Sequence, residues 1–268
     1  MSQLSTNNRA ALQFKPPGSY GSAYRTVAEI PPGHKRVLRF AFPLHTTWGA
    51  DDKNFVLQQT SIIKNPEIGL VEIHVIENSL LGVECVQDAT FLVYTLEGYH
   101  FLYMEGYGPV PVFSLTYTLQ PIPHGNHRLL VTRGTCTLLY IAADELITRL
   151  QNGGESLVPL NKYVVSAPKS GVLRLPIDTN VDLLLQQLIN LPEHPDPFSL
   201  PYITTHLLLL LPQQLQASSI NDHDISGSMM VFIAENIQMP VPWLLAQLQE
   251  KFSMNRRRAK AFLRNINL

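Results

Sequence analysis

The chain is short of cysteine, has no long apolar run and lacks the common catalytic signatures. Only Cys85 and Cys136 occur among its 268 residues. Both sit inside apolar, strand-like stretches, which predicts two buried free thiols rather than a disulfide. The densest apolar run, Leu207 to Leu211, is far too short to span a bilayer, which needs about 20 residues. The N-terminal stretch MSQLSTNNRAALQFKPPGSYG has no apolar h-region, so no secretory signal is read there. These absences predict a cytoplasmic protein without a membrane span. There is no Gly-x-Ser-x-Gly elbow, no phosphate-cradling glycine-rich loop and no His-Glu-x-x-His zinc motif. The expectation is a non-enzymatic protein with no cofactor. An active site assembled from distant residues stays open as an alternative.

What is present is enough apolar material for a real core. Hydrophobic residues make up 45% of the chain, which argues against wholesale disorder. Residues 1–19 are polar and end in Lys15-Pro16-Pro17-Gly18, so they are expected to be loosely ordered. From residue 20 to 140 short runs rich in Val, Ile, Thr, Tyr and Phe recur at 37–43, 54–63, 69–76, 90–96, 100–104, 110–118, 128–131 and 135–141. Turn chemistry such as Pro31-Pro32-Gly33, Glu97-Gly98 and Arg133-Gly134 separates many of them. Many short strands at this spacing predict a β-barrel or sandwich. The alternation of Leu70, Glu72 and His74 with Val71, Ile73 and Val75 predicts a half-buried strand.

The pattern then changes to helices. A short helix is expected over 142–150, stopped by Asn152-Gly153-Gly154. Residues 153–178 are irregular, and Asp178-Thr179-Asn180 can cap a helix over 181–191. Another helix over 202–217 carries Pro212, where a kink is expected. Helices over 225–237, 241–252 and 255–265 complete the chain. The organisation read from this is a β domain over 20–152, a connection with packing helices over 153–220, and a terminal helical unit over 221–268.

That terminal unit carries an uneven charge. The net charge is −1, yet six of the 20 basic residues fall in 251–268, which holds no Asp or Glu. Val241, Leu244, Leu245, Leu248 and Phe252 share one helical face. Ser253-Met254-Asn255 is a short polar turn, and Asn255 can cap the next helix. There, Ala259, Phe262 and Leu263 can pack back on the first helix, with Arg256, Arg257, Arg258 and Lys260 in the N-terminal half. This is the layout of a helix-turn-helix, whose second helix enters the major groove by its N-terminal part. Arg and Lys there contact phosphates or guanine edges. An ordinary helical hairpin with a solvated basic face has the same periodicity.

The residues resemble a known family. Ser228-Met229-Met230-Val231-Phe232-Ile233-Ala234-Glu235-Asn236-Ile237 looks like the helix that leads into the DNA-binding domain of AraC/XylS-type transcription regulators. LQEKFSMNRRRAKAFL, from Leu248 to Leu263, is similar to that family's first helix-turn-helix. Met254 matches the turn methionine and Phe262-Leu263 the apolar pair. Residues 117–150 resemble the close of the family's cupin-like sensor barrel. Gln249, Ser253 and Ala259 depart from the family's usual alanine, glycine and leucine. The resemblance implies an α+β chain: a cupin-like β-barrel, or double-stranded β-helix, followed by an α-helical region ending in one helix-turn-helix. It implies a small-molecule effector in the barrel, and a homodimer through the segments 181–191 and 203–217. It also implies DNA contact through Asn255, Arg256, Arg257, Arg258, Lys260 and Arg264. The family's domain continues into a second helix-turn-helix that this sequence does not reach, so the DNA contact is expected to be weak and salt-sensitive. The alternative is a sensor or interaction module that no longer binds DNA.

Cupin enzymes hold a metal through a His-x-His pair with a downstream Glu and His. No His-x-His occurs here. His124 and His127 form a His-x-x-His around a turn, so turn and surface roles are expected and no metal. A cupin-type enzyme with another metal set is the third reading. Scattered polar and aromatic residues could line an effector pocket. Trp48, His74, Tyr94, His100, Tyr103 and Tyr117 are the candidates.

Overall fold

The computed structural model describes residues 10–17, 25–26, 30, 34, 36–48, 53–61, 66–103, 109–112, 114–152, 174–217, 232–233, 236, 239–251 and 256–265. Among the described residues, thirteen strands run in chain order. They are β1 (Leu12–Lys15), β2 (Arg25–Thr26), β3 (Ala41–Trp48), β4 (Asn54–Ser61), β5 (Ile68–Val75), β6 (Ser79–Cys85), β7 (Ala89–Glu97), β8 (His100–Tyr103), β9 (Pro109–Val112), β10 (Thr116–Ile122), β11 (Gly125–Val131), β12 (Gly134–Ala142) and β13 (Arg174–Pro176). Among the described residues, five helices can be delimited: α1 (Asp144–Asn152), α2 (Thr179–Ile189), α3 (Ser199–Ala217), α4 (Val241–Lys251) and α5 (Arg256–Asn265).

The strands form two antiparallel sheets, ordered β1-β6-β11-β8-β9 and β13-β10-β7-β12-β5-β4-β3-β2. From β5 to β8, and again from β10 to β12, each step along the chain crosses to the other sheet. Within these two runs, strands adjacent in sequence therefore do not pair. Instead β12 lies between β5 and β7, and β11 between β6 and β8. This interleaving is a double-stranded β-helix of the cupin-like kind, and with the trailing helices it makes an α+β architecture. Side chains tie the corners together. Asn78 Oδ1 accepts the Arg133 N–H at 2.9 Å, and Asp88 Oδ1 accepts that of His124 at 2.6 Å.

The large sheet is covered on both faces. Alternation along β5 sends Val71, Ile73 and Val75 inward, to meet Leu81, Val83, Leu129 and Val131 of the small sheet. It sends Ile68 and Leu70 outward, into a second core with Leu139, Ile141 and the helices. Val181, Leu185 and Leu188 of α2 and Leu200, Ile203, Leu207, Leu208 and Leu211 of α3 close that core. The expected half-buried strand is thus buried on both sides, His74 alone being half-exposed along β5. Burial of one such leucine stabilises by roughly 1.5–3 kcal/mol before entropy is counted. Asp178 caps α2 as expected, accepting the Val181 N–H at 2.9 Å.

Several expectations change: the strand expected over 37–43 runs instead over Ala41–Trp48, with residues 36–40 outside any strand. The first stretch is not wholly loose: residues 12–15 pair with β6, with Leu12 opposite Cys85. Gln58 holds this strand from the other sheet. Its amide donates to the Leu12 carbonyl at 2.6 Å and its Oε1 accepts the Phe14 N–H at 3.2 Å. The single strand expected over 110–118 is two, because β9 pairs with β8 and β10 with β7. The chain changes sheets between them, and Leu115 takes a left-handed φ of 58° there. Finally, Ser79–Cys85 was not foreseen as a strand, since Gly82 and Glu84 interrupt its apolar pattern. The helix expected over 225–237 lies largely outside the described residues. Cys85 and Cys136 are buried free thiols.

Candidate functional site

Five of the six pocket candidates have described side chains, and the fold distributes these five to four places. Tyr94 and Tyr117 point outward from β7 and β10 and stack at 5.1 Å between ring centroids. They lie in the core beneath the helices. The Tyr117 hydroxyl donates to Gln214 Oε1 at 3.0 Å, and the Gln214 amide donates to Asp178 Oδ2 at 2.5 Å. The pair therefore fastens α2 and α3 to the sheet. Burial pushes both phenols up, with Asp178 adding to the rise at Tyr117. His74 lies at the far end of the same outer face, stacked on Phe55 at 5.6 Å, with Nδ1 3.1 Å from Thr135 Oγ1. Tyr103 faces away from the interior and packs against the terminal helices. Trp48 ends β3, and its side chain lies outside the described residues.

Of the five described candidates, His100 alone lines a cavity in the interior. Inward alternation along β8 places His100 and Leu102 there, beside Gln120, Tyr140, Leu12 and Phe14. Its volume is about 30 Å³. That admits a water or two, far below the roughly 300 Å³ or more of a ligand pocket. His100 Nδ1 stands 3.6 Å from Cys136 Sγ. Burial pushes the imidazole down to about 3, so it is neutral at any physiological pH. Burial also pushes the Cys136 thiol up, and Glu97 adds to the rise. Neither group is poised as a nucleophile or base. The Tyr140 hydroxyl accepts from Gln58 Nε2 at 3.3 Å and donates to Glu67 Oε1 at 3.4 Å. The sequence reading passed over Gln58, Gln120 and Tyr140. Their signal was a lone amide or phenol at an inward position of an apolar strand.

His124 is exposed, and His127 is buried with Nε2 2.8 Å from the Pro123 carbonyl. The latter is a core contact rather than the expected turn or surface role, because β11 alternation turns His127 inward. Among the described residues, no group of three or more His, Cys, Asp or Glu could hold a metal ion.

The terminal helices form a separate arrangement. Leu244 and Leu248 of α4 meet Ala259 and Leu263 of α5, together with Phe232 and Ile233. Val241, expected on this seam, is exposed instead. Phe101 of β8 completes the cluster, with Tyr99, Tyr103 and Leu130 packed against it. Lys251 Nζ sits 4.7 Å from the Phe232 ring centroid, where a cation gains from the aromatic face. Arg256, Arg257 and Lys260 are exposed on the first turns of α5. Arg258 and Arg264 belong to the same helix, their side chains outside the described residues, as is Asn255 altogether. The α5 sequence, RRRAKAFLRN, holds no acidic residue.

No protein-family model matches the chain. No curated protein matches it either. Solved structures are similar to it in fold. One is the AraC-like transcriptional activator CuxR, at 10% identity and TM-score 0.40, covering 84% of this chain and 80% of that one. Another is ToxT from Vibrio cholerae, at 12% identity and TM-score 0.38, covering 75% and 76%. A third is an RmlC-like cupin protein from Desulfovibrio desulfuricans, at 14% identity and TM-score 0.27, covering 36% and 89%. Among the described residues, no helix is long and apolar enough to cross a membrane.

Proposed function

We propose that the chain is a cytoplasmic, non-enzymatic regulator of the AraC/XylS type, in which a cupin-like sensor body carries a basic helix pair that contacts DNA. The observation that supports this best is the construction of α4 and α5. Leu244 and Leu248 of α4 share one seam with Ala259 and Leu263 of α5, and Arg256, Arg257 and Lys260 face solvent on the leading turns of the second helix. That is where a major-groove reader places its cations. A module that neutralises few phosphates binds weakly and with a marked salt response.

The experiment is duplex-DNA binding by fluorescence anisotropy across a salt series. The natural chain should bind at low salt. Arg256→Ala/Arg257→Ala/Lys260→Ala should flatten the salt dependence by about 0.9 in log–log slope for each phosphate left without its cation. No binding at the lowest salt would sink direct DNA contact. It would leave the reading of a sensor or interaction module.

A homodimer is part of the reading. Leu183 is 58% exposed on α2, Phe198 is 80% exposed ahead of α3, and Tyr202 is 59% exposed on its first turn. Large side chains this open on neighbouring helices suit a second copy. Solution mass by light scattering tests it, and a monomer at all concentrations would overturn it. Among the described residues, the cavity beside His100 holds about a water or two, so an effector would enter that cavity only if its lining side chains moved.

A further inference from the structure

β8 turns its two faces to different structures. Alternation sends His100 and Leu102 inward, where both line the cavity of about 30 Å³. It sends Phe101 and Tyr103 outward, into the cluster with Phe232, Ile233, Leu244 and Leu248. β11 beside it repeats the division: Leu129 lines the cavity, and Leu130 packs against the outer cluster. A wall of two strands therefore separates the interior space from the seam that holds α4 and α5. The opposite side of the cavity backs onto something else. Val93 of β7 and Leu138 of β12 line it there. The outward residues beside them, Leu92 and Leu139, enter the core closed by α2 and α3.

The two sides differ in stiffness. β12 has nine residues and pairs along most of its length with β5 and β7. β8 has four residues, between β11 and the four-residue strand β9. Pro109 and Pro111 of β9 stand opposite Tyr103 and Phe101, and a proline has no N–H to give a neighbouring strand. Just ahead of β8 the Tyr99 carbonyl accepts the Thr132 N–H at 3.4 Å and the Thr132 hydroxyl at 3.3 Å, which fixes one end of the strand. A close-packed interior transmits strain, and the weakly paired wall yields before the strongly paired one. Here the yielding wall is β8.

We propose that β8 is a coupling strand: the packing of the interior beneath it governs whether α4 and α5 stay folded against the small sheet. Phe101 is buried within the seam's own core, so its position is a condition for that core. A void under Leu102 lets β8 sink inward and draws Phe101 out of the seam. Apolar material that fills the void props β8 and seats Phe101. The lining, apolar but for His100, Gln120 and Tyr140, suits an uncharged and largely apolar guest. The consequence for DNA rests on the proposed contact through α5, because unfolded helices cannot hold Arg256, Arg257 and Lys260 on one leading turn. The coupling itself does not depend on that contact.

Paired substitutions at opposite walls of the one cavity test it, read by hydrogen–deuterium exchange on the full chain. Leu102→Ala and Leu138→Ala remove the same atoms from the same space. Leu102→Ala should raise exchange in α4 and α5 by at least about tenfold, and Leu138→Ala should leave it within about twofold of the natural chain. If either alanine variant fails to fold, Leu102→Val and Leu138→Val carry the same comparison with a smaller margin. Xenon under pressure enters dry apolar cavities, and it should bring α4 and α5 of Leu102→Ala back toward natural exchange. Equal loosening by the two substitutions, or none by Leu102→Ala, would overturn the coupling. A rise that xenon leaves untouched would overturn control by filling. Anisotropy with duplex DNA at low salt should follow the same order, Leu102→Ala binding more weakly than Leu138→Ala. Absence of DNA binding by the natural chain would sink the contact reading alone, and the exchange comparison would still decide the coupling.

Discussion

The large sheet is packed on both faces, whereas the helix pair α4–α5 has a single thin seam. The sheet divides its side chains between an interior core and a helix-covered outer core. Among the described residues, seven buried apolar side chains form the seam, and one of them, Phe101, is supplied by β8. A helical unit with so little core of its own draws stability from its docking surface. The two regions should therefore respond differently to equivalent damage: change in the sheet unfolds everything, and change at the seam unfolds the end.

The largest effect is expected at Gly69. A methyl group added there would run into the Tyr140 ring, its partner across the β5–β12 ladder. Overpacking usually costs about 1–3 kcal/mol, and Gly69→Ala should exceed that range because Tyr140 is also fixed by Gln58 and Glu67. Denaturant unfolding measures it. All probes should shift together, and a shift confined to one region would break the comparison.

Phe101→Ala should cost about 3–5 kcal/mol where it acts. Hydrogen exchange over 241–265 should rise to near the unfolded rate while β5 and β12 stay protected. Coincident loss in both regions would show that the seam and the sheet are one cooperative unit.

His100 gives the sheet a pH limb. The folded imidazole is pushed down from 6.5 to about 3, while the unfolded chain takes up its proton at the ordinary value. The unfolded state then binds more protons as pH falls, so stability drops on acidification. The slope is about 1.4 kcal/mol per pH unit between the two values. Stability curves of His100→Gln should lack this one-proton slope. A parallel curve would place His100 in contact with water.

The thiols offer a finer probe. Burial pushes Cys85 up to about 11, so only about a thousandth of it is thiolate at about pH 8. Both thiols should resist a thiol reagent in the native chain and react on unfolding. The smallest effect is expected at Arg256 and Arg257, whose exposed side chains should change stability by no more than about 0.5 kcal/mol when cut to alanine. That separates a loss of DNA affinity from a loss of fold.

Much of the β body was legible because β-branched and aromatic runs broken by turn residues are local signals. The spans of β4, β5, β8 and β12 were readable to within a residue or two, as were α2, α4 and α5. β1 and β6 were missed for a physical reason. Leu12–Lys15 has no strand character until Gln58 and β6 supply partners, and Gly82 and Glu84 dilute the pattern of β6. The pocket was the least legible part. Tyr94, Tyr117, His74 and His100 have the same chemistry whether they face a cavity, a helix or solvent, and only the strand's face decides which.

Local composition alone determined the succession of strands and helices, the free buried cysteines, and the basic final helix. These follow from side-chain periodicity and charge, which are properties of short stretches. The crossing of the chain between two sheets was decided only by the tertiary structure. So were the double burial of the larger sheet, the small cavity of about 30 Å³ beside His100 and the gathering of His34, His45 and His74 around Phe55. Each depends on which strands become neighbours, and those pairings join residues tens of positions apart that carry no mark of one another in the sequence.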